Sequence, residues 1–285
     1  VSESRQSALI TGASSGIGRA TAIKLAERGF YVIVAARRAK RLKDLADQFQ
    51  NITPKQVDFS QMDETKAFCQ YLSQLASPVT VLVNNAGYGV RGTLEDLSID
   101  VIRRIFEVNL FALMRITQAC LPGMRKRKKG TIVNLSSMVG KFILPCYGVY
   151  AATKYAVEGI TDALRLELAP FGIKVIAIRP GPIATEFNKV VNRLSGDLVS
   201  KTDPDYRPIY QTAKSATGRI LQGLSIPGPD LIADIILEAI LSDTPEAVYS
   251  AGPLSHEFLG KRKNLDDKDF HDFLLERFEL KDLQV

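Results

Sequence analysis

Short, nearly all-apolar runs alternate with longer stretches of helical periodicity through the first 180 residues of the chain. The apolar runs predict strands over Ala8–Thr11, Tyr31–Ala35, Lys55–Asp58, Val79–Asn84, Thr131–Ser136 and Ile173–Arg179, with a late seventh at Ala247–Ser250. Between them the periodicity predicts helices near Gly16–Arg28, Ala39–Phe49, Asp63–Ala76, Ser98–Leu121 and Tyr150–Ala169. Such alternation implies βαβ units, and so an α/β fold with a doubly wound parallel sheet in three layers. Strands with almost no polar positions fit a sheet covered on both faces.

The rhythm breaks over residues 186–228, where Pro204, Pro208, Pro227, Gly218 and Gly223 punctuate two amphipathic stretches before a helix predicted over Asp230–Leu241. Ligands of open α/β sheets bind beyond the carboxyl ends of the strands. A segment leaving the sixth strand there is read as a substrate lid, with a surface decoration or subunit contact as the alternative. The length of 285 residues fits one large domain carrying this excursion and a C-terminal extension at about 252–285.

Composition narrows the chemistry. The chain is 46% hydrophobic and 24% charged, as globular proteins are. Its two histidines, His256 and His271, exclude a multi-histidine metal site, and any Ser-His-Asp triad must recruit one of them. Three cysteines, Cys69, Cys120 and Cys146, without C-x-x-C spacing, exclude a disulfide scaffold and fit a reducing compartment. The polar start and the short apolar runs predict a cytoplasmic protein with no integral membrane segment. The net charge of +6 is densest at Arg125–Lys129, which no aromatic or groove-entering motif accompanies. It reads as a solvated loop, with no nucleic-acid partner.

The first predicted strand runs into Thr11-Gly12-Ala13-Ser14-Ser15-Gly16-Ile17-Gly18, and a helix follows. Glycines there let backbone N–H groups approach a pyrophosphate at the positive end of the helix dipole. The same stretch spells G-x-S-x-G, the nucleophile elbow of serine hydrolases. That reading of Ser14 lacks an upstream strand for an oxyanion loop and needs a distant histidine. The motif continues with Asn84-Asn85-Ala86-Gly87, Asn109, Ser137, Tyr150-x-x-x-Lys154, and Pro180-Gly181 with Thr185. In that order and at those spacings, across residues 11–185, the chain resembles the short-chain dehydrogenase/reductase family.

The resemblance implies a Rossmann-like sheet of order 3-2-1-4-5-6-7, a nicotinamide dinucleotide and pairing into homodimers or homotetramers through the Ser98–Leu121 and Tyr150–Ala169 helices. It implies cofactor contacts from Thr11, Gly12, Ser14, Ser15, Gly16, Ile17 and Gly18, from Asn85, Ala86 and Gly87, from Tyr150 and Lys154, and from Pro180, Gly181, Ile183 and Thr185. Asp58, ending strand three, resembles the family's adenine-contacting aspartate. Asn109 resembles an asparagine that holds a water linking Lys154 to solvent.

Carbonyl reduction needs a proton as well as a hydride, and no histidine occurs in the first 255 residues. Tyr150 and Lys154 share one face of a helix at i, i+4, so the ammonium is expected to pull the phenol's pKa toward neutrality. Ser137, thirteen residues before Tyr150, follows strand five and can hold the substrate oxygen, while strand alternation turns Ser136 away. Strand two ends in Ala36-Arg37-Arg38, without the carboxylate of an NAD site. Arginine meets a ribose 2′-phosphate with a planar fork, so NADP is favoured over NAD, with Arg37 first and Arg38 beside it.

Apolar lid positions such as Phe187, Val191, Leu194 and Tyr210 suggest an apolar ketone or alcohol as the small-molecule substrate. The C-terminal third looks like the subgroup with hydroxysteroid, retinol and acyl-dihydroxyacetone-phosphate reductases. A catalytically silent NADPH-binding relative is the rival reading, and the intact Ser137, Tyr150 and Lys154 set speaks against it.

Overall fold

A computed structural model describes residues 6–200 and 202–284. Its elements follow the predicted alternation: β1 (Ser7–Thr11), α1 (Gly16–Glu27), β2 (Tyr31–Ala36), α2 (Ala39–Ala46), β3 (Ile52–Gln56), α3 (Met62–Ser73), β4 (Val81–Asn84), α4 (Ile99–Phe106), α5 (Ala112–Arg127), β5 (Gly130–Leu135), α6 (Gly148–Leu168), β6 (Ile173–Pro180), α7 (Phe187–Ser200), α8 (Arg207–Leu221), α9 (Asp230–Leu241), β7 (Val248–Ala251), α10 (Ser255–Asn264) and α11 (Asp267–Arg277). The seven strands form one sheet of order β3-β2-β1-β4-β5-β6-β7. All six pairings are parallel, which is the Rossmann-like arrangement implied by the sequence.

The period of two within each strand divides the core. Ala8, Ile10, Val32, Val34, Val81 and Val83 face α1, α2 and α9, whereas Leu9, Ile33, Leu82 and Ile132 face α3 and α5. Both faces are covered, so the strand interior positions are buried on either side.

Three boundaries depart from the sequence reading. The third strand lies earlier, at Ile52–Gln56, and contains Pro54. It is a sheet edge, where the missing proline N–H costs no ladder bond, and only Ile52 of its five residues is buried. The fifth helix runs through Pro122 to Arg127, so Arg125–Arg127 form its last turn rather than a loop. Cations there face the negative end of the helix dipole, and Lys128 closes the helix in a left-handed conformation (φ 50°). The 186–228 excursion is two helices, α7 and α8, not an irregular segment.

Those two helices and the C-terminal pair α10 and α11 build a third core beside the carboxyl ends of the strands. Phe142, in the loop before α6, stacks on Phe258 (centroids 5.2 Å, 20°) and meets Phe270 edge-on at 6.0 Å. Phe278, Ala216 of α8 and Tyr150 belong to the same cluster. Arg219 of α8 also pairs with Glu279, Nε to Oε1 at 2.8 Å. The extension thus braces both the lid and the loop that leads into α6.

Candidate active site

The carboxyl ends of β1 and β4 are locked together by Thr11 and Asn85. The Thr11 hydroxyl accepts from the N–H groups of Asn85 and Ala86, both at 3.0 Å, and Asn85 Nδ2 donates to the Thr11 carbonyl at 2.9 Å. Thr11 is buried and its hydroxyl is committed to these N–H groups, so it positions the glycine turn. Gly12 has φ +70°, and a Cβ there would stand 2.8 Å from Asn85 Nδ2 and 2.9 Å from Ala86 Cα. Only glycine closes this turn. The turn delivers the N-terminus of α1, whose Ser15 makes no side-chain cap. The first-turn N–H groups of Gly16, Ile17 and Gly18 therefore meet no side-chain acceptor from their own N-cap, the arrangement that suits an anion.

Two asparagines below the site tie the sheet to its helices. Asn84 and Asn134 are in register on β4 and β5 and join through Asn84 Nδ2 to Asn134 Oδ1 at 2.9 Å. Asn84 also reaches Thr117 of α5 at 3.0 Å, and Asn134 reaches Thr161 of α6 at 2.9 Å.

Asn109 occupies a π-helical turn, Glu107–Phe111, between α4 and α5. Such single-turn bulges redirect side chains inside a helix. Its amide accepts from the Tyr88 N–H at 3.0 Å and donates to the Tyr88 carbonyl at 2.9 Å and to Thr153 Oγ1 at 3.0 Å. These bonds clamp the segment after Gly87 to α6. A Cβ on Gly87 would stand 3.2 Å from Asn109 Oδ1 and 3.7 Å from Lys154 Nζ, so that backbone runs directly past both side chains.

Ser137, Tyr150 and Lys154 converge at the end of β5. Ser137 begins a 3-10 turn, accepting from the Val139 N–H at 3.3 Å, and its hydroxyl lies near enough to the Tyr150 phenol to favour the phenolate. Ser136 turns the other way, toward Glu158, as alternation predicts. Glu158 is itself buried against Arg179 (2.7 Å) and Lys141 (3.5 Å). Lys154 Nζ donates to the Leu135 carbonyl at 2.7 Å and lies 5.8 Å from the centroid of the Tyr150 ring.

The electrostatics of this pair differ from the simple expectation. Burial pushes the Tyr150 phenol up, against the opposing influence of the nearby Ser137 hydroxyl. Burial also brings Lys154 down to about 8, more than the Glu158 carboxylate restores. With the ammonium bonded to a carbonyl and both groups nearly dry, desolvation outweighs attraction. Burial therefore holds the Tyr150 phenol above its ordinary value, opposite to the expected direction.

Of the two candidate arginines, Arg38 meets the glycine turn. Its Nε donates to Ser14 Oγ at 3.0 Å and a terminal nitrogen to Ser15 Oγ at 2.5 Å. Arg37 is exposed, and its side chain makes no hydrogen bond or ion pair among the described residues. The Ser14 hydroxyl is thus held by an arginine. Both histidines belong to α10 and α11, with His256 lining a separate cleft beside Lys141 and Arg179, so the hydrolase reading has no base at Ser14. Asp58 lies two residues beyond β3 and caps a turn, accepting from the Ser60 N–H and hydroxyl at 2.9 and 2.8 Å.

The β6 end completes the cleft. Gly181 donates to the Ala251 carbonyl at 2.8 Å, and a Cβ there would clash with the Pro253 carbonyl and stand 2.6 Å from Ser255 Oγ. Pro180 ends β6, Ile183 is buried, and Thr185 packs on Gly16 and caps α7 through the Phe187 N–H at 3.2 Å. The Phe187 ring stands 5.5 Å from that of Tyr150. Residues the sequence did not flag hold the lid down. Arg91 N–H donates to Ser195 Oγ at 2.8 Å, its side chain donates to the Tyr147 hydroxyl at 2.7 Å, and the Thr93 N–H donates to the Tyr210 hydroxyl at 2.9 Å. No tripeptide-scale motif announces such contacts, which join residues 56 to 117 positions apart.

A family model described as short chain dehydrogenase matches residues 6–195. Retinol dehydrogenase 8 of Homo sapiens is 38% identical over 218 residues, covering 72% of this chain and 69% of that protein. A short-chain dehydrogenase from Streptomyces avermitilis matches with a TM-score of 0.78 and 31% identity over 98% of both chains. A short-chain dehydrogenase from Sphingobium yanoikuyae in complex with NADPH matches with a TM-score of 0.72 and 25% identity, covering 98% of this chain and 96% of that one. Among the described residues, no helix is long and apolar enough to cross a membrane.

Proposed function

The chain belongs to the short-chain dehydrogenase/reductase family of oxidoreductases, and we propose that it is an NADP(H)-dependent enzyme interconverting an apolar ketone or aldehyde with its alcohol. The observation that carries this reading is the convergence of Ser137, at the end of β5, with the buried Tyr150 and with Lys154 beside the same ring.

The cofactor fits the residues present. The tight Gly12 turn, the uncapped first turn of α1 and the Arg38 fork on Ser14 and Ser15 make a cradle for phosphates. When bound, the nicotinamide supplies the hydride. Tyr150 gives its phenolic proton to the carbonyl oxygen, so that a C–H and an O–H bond replace the π bond of the C=O group and the C–O single bond remains. Ser137 holds that oxygen beside the phenol. Lys154 stabilises the phenolate left behind and returns a proton to it, with Asn109 holding the backbone past which that proton moves. A retinol dehydrogenase among the relatives and the Phe187 ring beside Tyr150 support a bulky apolar substrate.

The same reading makes the enzyme a homo-oligomer. Phe111 is 43% exposed on the α4–α5 face, beside the partly buried Met114, Ala156 and Ile160. Three free cysteines accord with a reducing cytoplasm. The test is NADPH consumption, followed by absorbance, across steroid, retinoid and acyl ketones. Turnover of at least one, with NADPH preferred over NADH, is expected. Tight NADPH binding with no turnover of any ketone would turn the assignment to a silent binding protein.

A further inference from the structure

A carboxylate already sits where the cradle would take a phosphate. Glu186 follows Thr185 at the root of the lid and accepts from Arg38 at 2.6 Å and from Arg41 at 2.8 and 2.9 Å. Those hydrogen bonds hold its pKa down at about 2, so it is an anion at every working pH. The same Arg38 guanidinium spans Ser14 and Ser15 of the glycine turn. Ser14, Ser15, Gly16, Arg41, Thr185 and Glu186 line an open cleft of about 730 Å³. The side chains are 38–45% exposed, within reach of a ligand from solvent.

We infer that Glu186 is an internal stand-in for the cofactor's phosphate, a specificity-determining residue that competes for Arg38 and Arg41 and ties the lid root to the cleft until an anion replaces it. This rests on the NADP reading above and adds a residue to it. An incoming phosphate must take over the bonds that Glu186 makes, because one guanidinium fork cannot serve two anions equally. The exchange also acts on the lid. Glu186 stands between Thr185, which packs on Gly16, and Phe187, whose ring reaches Tyr150 and lies against Gly89. Releasing the carboxylate frees the first turn of α7 beside the reacting tyrosine. A ligand without a 2′-phosphate has less with which to displace Glu186, so the carboxylate weakens both cofactors but sharpens the demand for a second anion at the arginines.

The experiment is binding, not turnover. Wild type and Glu186→Gln are titrated with NADPH and NADH by fluorescence, and with 2′,5′-ADP and 5′-AMP by calorimetry. The substitution keeps the side chain's shape, and matching melting temperatures confirm that both proteins are folded. The expected result is tightening of NADPH and 2′,5′-ADP by about 3- to 10-fold, with NADH and 5′-AMP moved less than half as far on a logarithmic scale. Unchanged or weaker 2′,5′-ADP binding in Glu186→Gln would overturn the inference and make Glu186 a support that holds the arginines in place. Equal tightening of all four ligands would overturn the specificity role. If neither protein binds NADPH or 2′,5′-ADP, the cofactor reading falls and takes this one with it, whereas binding by both proteins with no difference removes Glu186 alone.

Discussion

The Lys154 ammonium stands 5.8 Å from the centre of the Tyr150 ring, while its 2.7 Å hydrogen bond goes to the Leu135 carbonyl. The pair shares a helix face at i, i+4, yet proximity has not drawn the phenol down, because both groups are buried and burial acts on each. The titration that falls in the working range therefore belongs to the lysine.

This fixes a pH dependence. Lys154 is a cation below about 8 and neutral above it in the folded protein, against 10.5 for a free lysine. For carbonyl reduction, kcat/KM for NADPH should be flat below this value and fall above it, since that ratio reports groups of the free enzyme. Lys154→Arg keeps the charge and should move the falling limb upward. Stability follows the opposite sense. Between about 8 and 10.5 the unfolded chain holds a proton that the native state does not, so this group's contribution to stability rises with pH across that window and is constant below it. Urea titrations at pH 7.5 and 10 compared with those of Lys154→Met would reveal it. A rate profile unaltered in Lys154→Arg would give the limb to another group.

Tyr150→Phe removes the proton donor without emptying the third core, since the ring keeps its place among Val149, Phe187 and Phe142. Turnover should fall by roughly 10²–10⁴-fold, the range for a lost general acid. NADPH affinity should stay within a few-fold. Ser137→Ala should lower turnover less, leaving Tyr150 protonated but its substrate oxygen unheld. Residual activity near wild type in Tyr150→Phe would remove the phenol from the proton transfer.

Phe258 offers a test of the C-terminal brace. It is 1% exposed, lies flat on Phe142 and touches Phe273 and Phe278. Truncation to alanine should cost about 3–5 kcal/mol in urea denaturation, as for other large buried aromatics. Because Phe142 lies in the loop between Ser137 and Tyr150, kcat should fall as well under conditions where the variant is folded. Phe273→Ala, at a partly buried position, should cost less. A loss of stability with unchanged kcat would show that the brace does not reach the site.

How far these features were legible in the sequence depends on the range of the interaction. Most strand positions were readable because short, nearly all-apolar runs are a local signal, and sheet order was readable because the ordered motifs recur as a set in the family that the chain resembles. Asp230–Leu241 was located to the residue, as a helix following Pro229 and rich in apolar positions should be. Ser137 and Tyr150 were readable because one turn and one helix carry them together. The edge strand was misplaced since Pro54 argues against a strand wherever its neighbours are unknown. The lid's two helices were read as irregular because their prolines, Pro204 and Pro208, sit at helix starts, where proline is accommodated. Glu186 gave no signal at all. Its partners are 145 and 148 residues away in the chain, and a single glutamate after a threonine has no pattern. Arg37 was preferred to Arg38 for its place next to the family's acid site at the end of strand two, whereas in the fold it is the Arg38 guanidinium that reaches Ser14 and Ser15.

That choice between neighbours yields the last prediction. Arg38 donates to Ser14 and Ser15 at the glycine turn, and Arg37 does not. Replacing Arg38 with aspartate should reverse or abolish the preference for NADPH over NADH, and Arg37→Asp should shift it far less. A hydrogen bond to a charged group contributes about 1.5–3 kcal/mol, and the new carboxylate would repel a 2′-phosphate while accepting from bare ribose hydroxyls. Together these should move the ratio of kcat/KM for NADPH to that for NADH by more than ~100-fold, about 2.7 kcal/mol. Part of the native ion pairing is exposed, so the ratio is measured at one fixed, low salt concentration and again at 0.5 M salt, where screening should reduce it. The reading is defeated from the start by a wild type that prefers NADH. It is corrected to the neighbouring residue if Arg37→Asp produces the larger shift, in which case the Arg38 bridge to Glu186 serves the lid and not the phosphate.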